Sequence, residues 1–365
     1  MLPYLLVFLF SLINLIIYDT LKRENQYGQQ FFLFLSFFSL ILLSSLRDPS
    51  VGTDTYTYLL IWGNSPSELS DLIEQSTLFN EPAFYLLSYL TKYISVEFFN
   101  GSNIPFFMCI AFIVLVLSYS SIIQYSQFIV FSLFLFLMLG FYTFHFNGVR
   151  QSITIAIFIY SIRFIINGNF QRYLVCILIG FLIHKSMLIC LPFYYFFRQP
   201  LTVRIVALTV FSSCLIAFSI QTLVEYASAI DQRYSTYANS DYGGGGLITT
   251  LFNNAMFFWL FFVKRANKIE SKLYDISILS MLIASCLGII SVILSLNPSG
   301  ILRLTVYFSQ FLIFALPISI YSFKYRLERI LVMLLSIFFM FAYFYITTKN
   351  FSGLTPYKFS LDSLF

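Results

Sequence analysis

The chain has 365 residues, of which 59% are hydrophobic, 20% aromatic and only 10% charged, with a net charge of +5. A soluble domain carries about 25% charged residues, so that class is excluded. The apolar runs lack the strict alternation of barrel strands, which excludes an outer-membrane β-barrel. Apolar runs of roughly 18–22 residues recur from end to end, which predicts an all-α polytopic membrane protein, a single integral membrane domain over 1–365.

In chain order, the predicted spans are 2–18, 31–46, 104–123, 128–145, 149–166, 204–223, 247–263, 275–296, 303–322 and 329–347. The first run has neither a basic leader nor a small-residue cleavage site, so it is expected to be a retained helix. Residues 82–96 (PAFYLLSYLTKYISV) are apolar but short and contain Lys92. Residues 172–197 are too long for one comfortable span and too short for two full ones.

The basic residues decide both cases. Lys22 and Arg23, Arg163 and Arg172, Arg198 and Arg204, the 264–272 cluster, and Lys324, Arg326 and Arg329 each mark a short loop as cytoplasmic. Loops on one side are separated by an even number of crossings. Hence 172–197 is expected to be a broken pair, 172–183 and 186–197, with His184 and Lys185 at its outward tip. The total is then about twelve membrane segments, with both termini outside. By the same parity, 82–96 becomes an interfacial helix on the outer face. About 13 Lys and Arg then lie inside against about 8 outside, while acidic residues split about 5 to 11. No cytoplasmic loop is large. The outer loops are 47–103 and 224–246, the second containing Gly243–Gly246.

Four arginines face outward against the charge rule: Arg47, Arg150, Arg233 and Arg303. A planar guanidinium forms paired, charge-assisted bonds to phosphate, and Arg150 and Arg303 begin helices, whose N-termini favour anions. Together they suggest a pyrophosphate site; singly, each could be paired with a carboxylate such as Asp48 or Asp231. His184, interrupting an apolar run, is the first candidate for a general base, and Asp54 the second. His145 is weaker, and more simply read as a structural partner. Glu81, Tyr56, Tyr58 and Tyr234 suit a glycan acceptor, although interfacial tyrosines look the same in sequence. The five cysteines fall in apolar runs without a CxxC pair, and two histidines do not make a metal site. No cofactor and no nucleic-acid partner is implied.

The segment Arg47-x-x-x-Val51-Gly52-Thr53-Asp54-Thr55-x-x-Tyr58 resembles the first-loop motif of the EpsG family of polysaccharide polymerases. Glu81-Pro82-x-Phe84, Gly148-x-Arg150-Gln151, His184-x-Ser186 with Pro192 beyond, and Arg233-Tyr234-x-x-Tyr237 resemble its later motifs, in order. Ser152-Ile153 stands where the family often has Leu-Ala; the arginine is untouched.

The resemblance implies a GT-C-like, metal-independent glycosyltransferase of the Wzy type in the bacterial inner membrane, with its active site facing the periplasm. Its donor and acceptor would both be oligosaccharide units on undecaprenyl pyrophosphate. A chain-length regulator and a flippase are the protein partners left open. The small cytoplasmic loops agree, since they offer no room for a nucleotide-sugar domain. A flippase for the same lipid-linked unit and an O-antigen ligase are the alternatives; a flippase would more naturally show repeated halves, and none is evident.

Overall fold

A computed structural model describes residues 1–66, 68, 70–71, 81–230, 246–294 and 300–360. Among these, the secondary structure is helical apart from one antiparallel bridge between Arg47 and Phe359. The chain forms two compact units. One comprises Met1–Ser161, Leu174–Leu188 and Ile330–Phe365; the other comprises Ile162–Tyr173 and Ile189–Arg329.

The first unit begins with a hairpin of α1 (Leu2–Arg23) and α2 (Gln29–Ser45). Pro3 starts α1, where its missing N–H costs nothing, and Lys22 and Arg23 end it, complementing the helix dipole. Gly28 turns the chain at φ +85°, a conformation open to glycine. After α3 (Thr55–Gly63) come α4 (Pro82–Phe98), α5 (Ile104–Tyr125), α6 (Ile129–Met138), the single turn α7 (Phe144–Asn147) and α8 (Val149–Ile166). A buried hydroxyl cluster joins three of them: Ser11 on α1 donates to the Ser36 carbonyl on α2 at 2.9 Å, and Ser36 Oγ lies 2.9 Å from the Tyr119 hydroxyl on α5. Hydrogen bonds of this kind hold apolar helices together where hydrophobic burial does not discriminate.

Next is α9 (Phe170–Ile183), which breaks at His184 into a 3₁₀ turn, Lys185–Cys190, followed by α10 (Phe193–Arg198). The break falls where the sequence places it, but the second half is a turn and a six-residue helix rather than a second helix of equal length. Gly180 makes room for the return: a Cβ there would lie 2.6 Å from Met187 Cγ.

The second unit contains α11 (Val203–Ile230), α12 (Leu247–Asn267), α13 (Lys272–Ile293), α14 (Ile301–Ser309) and α15 (Leu312–Tyr321). Ser271 caps α13 by accepting from the Tyr274 N–H. Gly288 lets α13 approach α12 closely, since a Cβ would meet Thr250 Oγ1 at 2.9 Å. Trp259 on α12 donates to Ser319 Oγ on α15 at 3.1 Å. α14 and α15 meet at a 45° bend. The last helix, α16 (Arg326–Asn350), leads to a C-terminal segment described to residue 360.

Among the described residues, six helices are long and apolar enough to cross a membrane, or seven with the bent pair α14–α15. This is fewer than the twelve or so expected. Beside them are shorter apolar stretches, Gln29–Ser45, Ile129–Met138, Phe170–Ile183 and the first part of α11, Val203–Ile216, each below the roughly 20 residues that cover a bilayer's apolar thickness without help. The chain is a multi-pass membrane protein. Residues 82–96 do form a helix, α4.

Candidate active site

At one end of the first unit, the start of α1, the end of α2, the starts of α4 and α8, and the ends of α9 and α16 come together. Contacts between residues far apart in sequence fix this arrangement. The Tyr4 hydroxyl donates to the Leu354 carbonyl at 2.9 Å, Arg150 meets Glu81, and His184 meets Glu81.

Glu81 is the centre of the cluster. It precedes Pro82, which opens α4, and its backbone sits in the left-handed region at φ 57°, ψ 54°. A non-glycine residue held there costs of order 1–3 kcal/mol, a strain that tends to occur at functional sites. Its carboxylate is 7% exposed. Oε2 accepts from Arg150 Nη1, and Oε1 accepts from His184 Nδ1 at 2.6 Å and from the Lys185 N–H at 3.3 Å. Burial pushes the Glu81 carboxyl up, but the His184 hydrogen bond and the charges of His184 and Arg150 outweigh it and hold the group down at about 2. It is therefore an ionised acceptor at neutral pH, so the His184 proton sits on Nδ1. In a neutral ring, Nε2 then carries the free lone pair.

Arg150 lies in the first turn of α8, 24% exposed, with its guanidinium 5.8 Å from the Tyr58 ring centroid and 5.6 Å from that of Phe84. Its Nε is buried and has no hydrogen-bond partner among the described residues. His184 is 28% exposed at the break after α9. Two of the cluster's three side chains thus reach solvent while the carboxylate joining them does not.

Arg47, expected as a pyrophosphate ligand, is 1% exposed. Its guanidinium lies 3.7 Å from the Phe107 ring centroid and 4.3 Å from that of Phe146, and Nη1 donates to the Ser44 carbonyl and to Ser44 Oγ, both at 2.9 Å. Burial pulls it down to about 10, which leaves it charged at neutral pH. The C-terminal segment covers it: the Asp48 N–H donates to the Lys358 carbonyl at 3.0 Å, and the Ser360 N–H to the Leu46 carbonyl at 2.9 Å. A ligand cannot touch Arg47 in this arrangement. Asp48 is not its partner, accepting instead from the Ser50 N–H and hydroxyl.

His145 is fully buried, with Nδ1 donating to the Tyr142 carbonyl and Nε2 lying 2.8 Å from Ser44 Oγ. It is a structural partner, as the simpler reading of the sequence had it.

Asp54 is half-buried at the start of α3, accepting from the Thr53 hydroxyl at 3.0 Å. The two tyrosines of α3 diverge: Tyr58 is 7% exposed and turned towards Phe84 and Arg150, whereas Tyr56 is 65% exposed. Arg303 lies in the first turn of α14 in the second unit. Arg233 and Tyr234 lie outside the described residues, as do most of the 224–246 loop and its glycines up to Gly245.

Two features escaped the sequence reading. One is that Glu81 joins Arg150 and His184, across 69 and 103 residues; each stands out singly in the sequence, with no signal linking them. The other is the packing of the C-terminal segment onto the first loop, centred on Asn147.

The family model for EpsG matches residues 30–359. The chain belongs to the EpsG family. EpsG-like proteins are Wzy-type polymerases, so the family carries polysaccharide-polymerase-type membrane proteins. No curated protein and no solved structure matches the chain. The matched range takes in every residue of the Glu81 cluster and nearly all of the C-terminal segment.

Proposed function

We propose that this member of the EpsG family joins undecaprenyl-pyrophosphate-linked oligosaccharide units into O antigen or a related surface polysaccharide, on the periplasmic face of the bacterial inner membrane. The growing glycan passes from its lipid carrier to one new lipid-linked unit. The observation that carries this reading is the Glu81–His184 pair, with Arg150 on the other carboxylate oxygen. Its membrane side follows from the basic loops: the helix ends gathered at Glu81 are those that the positive-inside rule assigns to the outside.

In the reaction, an acceptor hydroxyl attacks the anomeric carbon of the donor glycan. The bond from that carbon to the pyrophosphate oxygen breaks, and undecaprenyl pyrophosphate leaves with the electron pair. The hydroxyl proton passes to His184 Nε2. Glu81, holding Nδ1–H, fixes the ring and stabilises the imidazolium that forms, the role a carboxylate plays behind a catalytic histidine. Arg150 stabilises the charge developing on the leaving pyrophosphate through the part of its guanidinium that Glu81 does not occupy. Asp54 remains the second candidate base, and Tyr56 and Tyr58 border the acceptor. Glu81 moves from acceptor ligand to histidine partner. Arg47 moves from pyrophosphate ligand to support for the site. Arg233 and Arg303 keep the pyrophosphate role on sequence grounds.

The experiment is the surface-polysaccharide ladder of a strain lacking the protein. Single repeat units without the long ladder support a polymerase. Loss of even the single unit, with lipid-linked units held in the inner leaflet, supports the flippase alternative. A missing single unit with long chains left on undecaprenyl pyrophosphate supports a ligase.

A further inference from the structure

Asn147 is the last residue of α7, two residues before α8 begins its first turn with Arg150 in it. Its amide touches two other parts of the chain. Oδ1 accepts from the Thr53 N–H in the first loop at 2.8 Å, and Nδ2 donates to the Ser352 carbonyl of the C-terminal segment at 2.7 Å. Those two parts also touch each other, the Gly52 N–H donating to the Gly353 carbonyl at 2.9 Å. Both glycines have positive φ, +103° and +62°, so a side chain is strained at either; a Cβ on Gly52 would lie 2.6 Å from Asn147 Oδ1, and one on Gly353 would press on Thr53 Cγ2 at 3.1 Å. Thr55, next along the loop, donates to the Val51 and Phe146 carbonyls. The loop, the approach to α8 and the C-terminal segment are therefore locked at one point.

We propose that Asn147 is a positioning residue for substrate binding: with Ser352 and Gly353 as a strap, it fixes the Gly52–Asp54 loop relative to Arg150. The proposal rests on the polymerase reading. Asp54 and Tyr56 then meet the lipid-linked acceptor at a set distance from the arginine that meets the donor's pyrophosphate. The Asn147 amide bonds to Thr53 and Ser352 and not to His184 or Glu81, so its loss changes binding and leaves proton transfer to His184 alone.

The test uses the full-length protein in lipid nanodiscs, with the lipid-linked repeat unit isolated from a strain that carries it. In Asn147→Asp, one oxygen still accepts from Thr53, but an oxygen now faces the Ser352 carbonyl, so the strap alone is released. Asn147→Ala loses both contacts, and Gly353→Ala disturbs the strap from the other side. Asn147→Asp and Gly353→Ala are expected to raise KM for the lipid-linked unit about tenfold, roughly the worth of one hydrogen bond, and Asn147→Ala by more, with kcat and its pH profile kept in all three. A fall in kcat at unchanged KM, the signature of a smaller folded fraction, would overturn the proposal, as would Asn147→Asp and Gly353→Ala both matching wild type. Should the wild-type protein form no polymer, the functional reading fails separately. Hydrogen exchange at Gly52 and Thr53 then decides whether the lock exists: faster exchange in Asn147→Ala upholds it, and unchanged exchange overturns it.

Discussion

Glu81 holds both half-buried basic side chains of the site at once, its Oε1 2.6 Å from His184 Nδ1 and its Oε2 on Arg150. The carboxylate orients the histidine, and the histidine and the arginine together keep the carboxylate ionised. Replacing Glu81 by Gln preserves the shape but lets the amide present a donor to Nδ1, which favours the wrong tautomer. Turnover is expected to fall about 10²- to 10⁴-fold, the range spanned by general-base catalysis and by the loss of a histidine's orienting carboxylate. Polymer formed per minute by Glu81→Gln, normalised to folded protein, checks this.

Arg150 serves the fold as well as the reaction. Removing it leaves Glu81 as a buried carboxylate short of one partner, and breaking a buried pair from one side costs about 3–5 kcal/mol. Arg150→Ala should therefore melt earlier and lose long chains, while single-unit capping continues. The double variant Glu81→Gln with Arg150→Ala should recover part of the stability and none of the activity, because neighbouring effects do not add. Thermal midpoints of the four proteins complete the cycle.

The pH dependence of stability follows from Glu81. The folded protein holds this group at about 2, against an ordinary value of 4.5, so the folded state binds its proton less tightly than the unfolded chain. Its contribution is complete above pH 4.5 and is lost as the pH falls from there towards 2. The thermal midpoint of the wild-type protein should drop across that window, and Glu81→Gln should show a smaller drop. Parallel curves would assign the loss to other groups.

Arg47 and Arg150 should respond differently to lysine. At Arg47, lysine loses the guanidinium that lies over the Phe107 and Phe146 rings and must recover the two Ser44 bonds with a differently placed nitrogen. A loss of about 2 kcal/mol in stability is expected from cation–π and charged hydrogen-bond contributions, with activity per folded molecule retained. At Arg150, lysine keeps the charge but loses the fork, so activity per folded molecule should fall. Activity and melting measured on the same preparations separate the two roles.

Much of this was legible in the sequence, for identifiable reasons. Apolar run length gave the helices, and the even number of crossings between two cytoplasmic loops required a break inside 172–197, which falls at His184. Glu81, Arg150 and His184 stood out because charged and polar residues are costly in an apolar chain. What the sequence could not convey was their partnership, since a hydrogen bond spanning 103 residues leaves no local periodicity. Arg47 misled for a related reason: an outward arginine after a helix reads as a ligand, and its burial depends on a C-terminal segment more than 300 residues away. Asn147 and Gly353 resemble ordinary turn residues until their three-way contact is seen. The number of crossings is less legible than the helices themselves, because a hydropathy pattern does not distinguish a 17-residue helix that stops early from a full crossing.

The most direct test of the central claim is polymerisation in purified, reconstituted protein, supplied with only the lipid-linked repeat unit and compared with His184→Ala. The wild-type protein is expected to form a ladder, with one undecaprenyl pyrophosphate released for each unit added, and the His184 variant to form none at equal folded concentration. Transfer of intact units across the bilayer without a ladder, or a ladder that persists without His184, would contradict that claim.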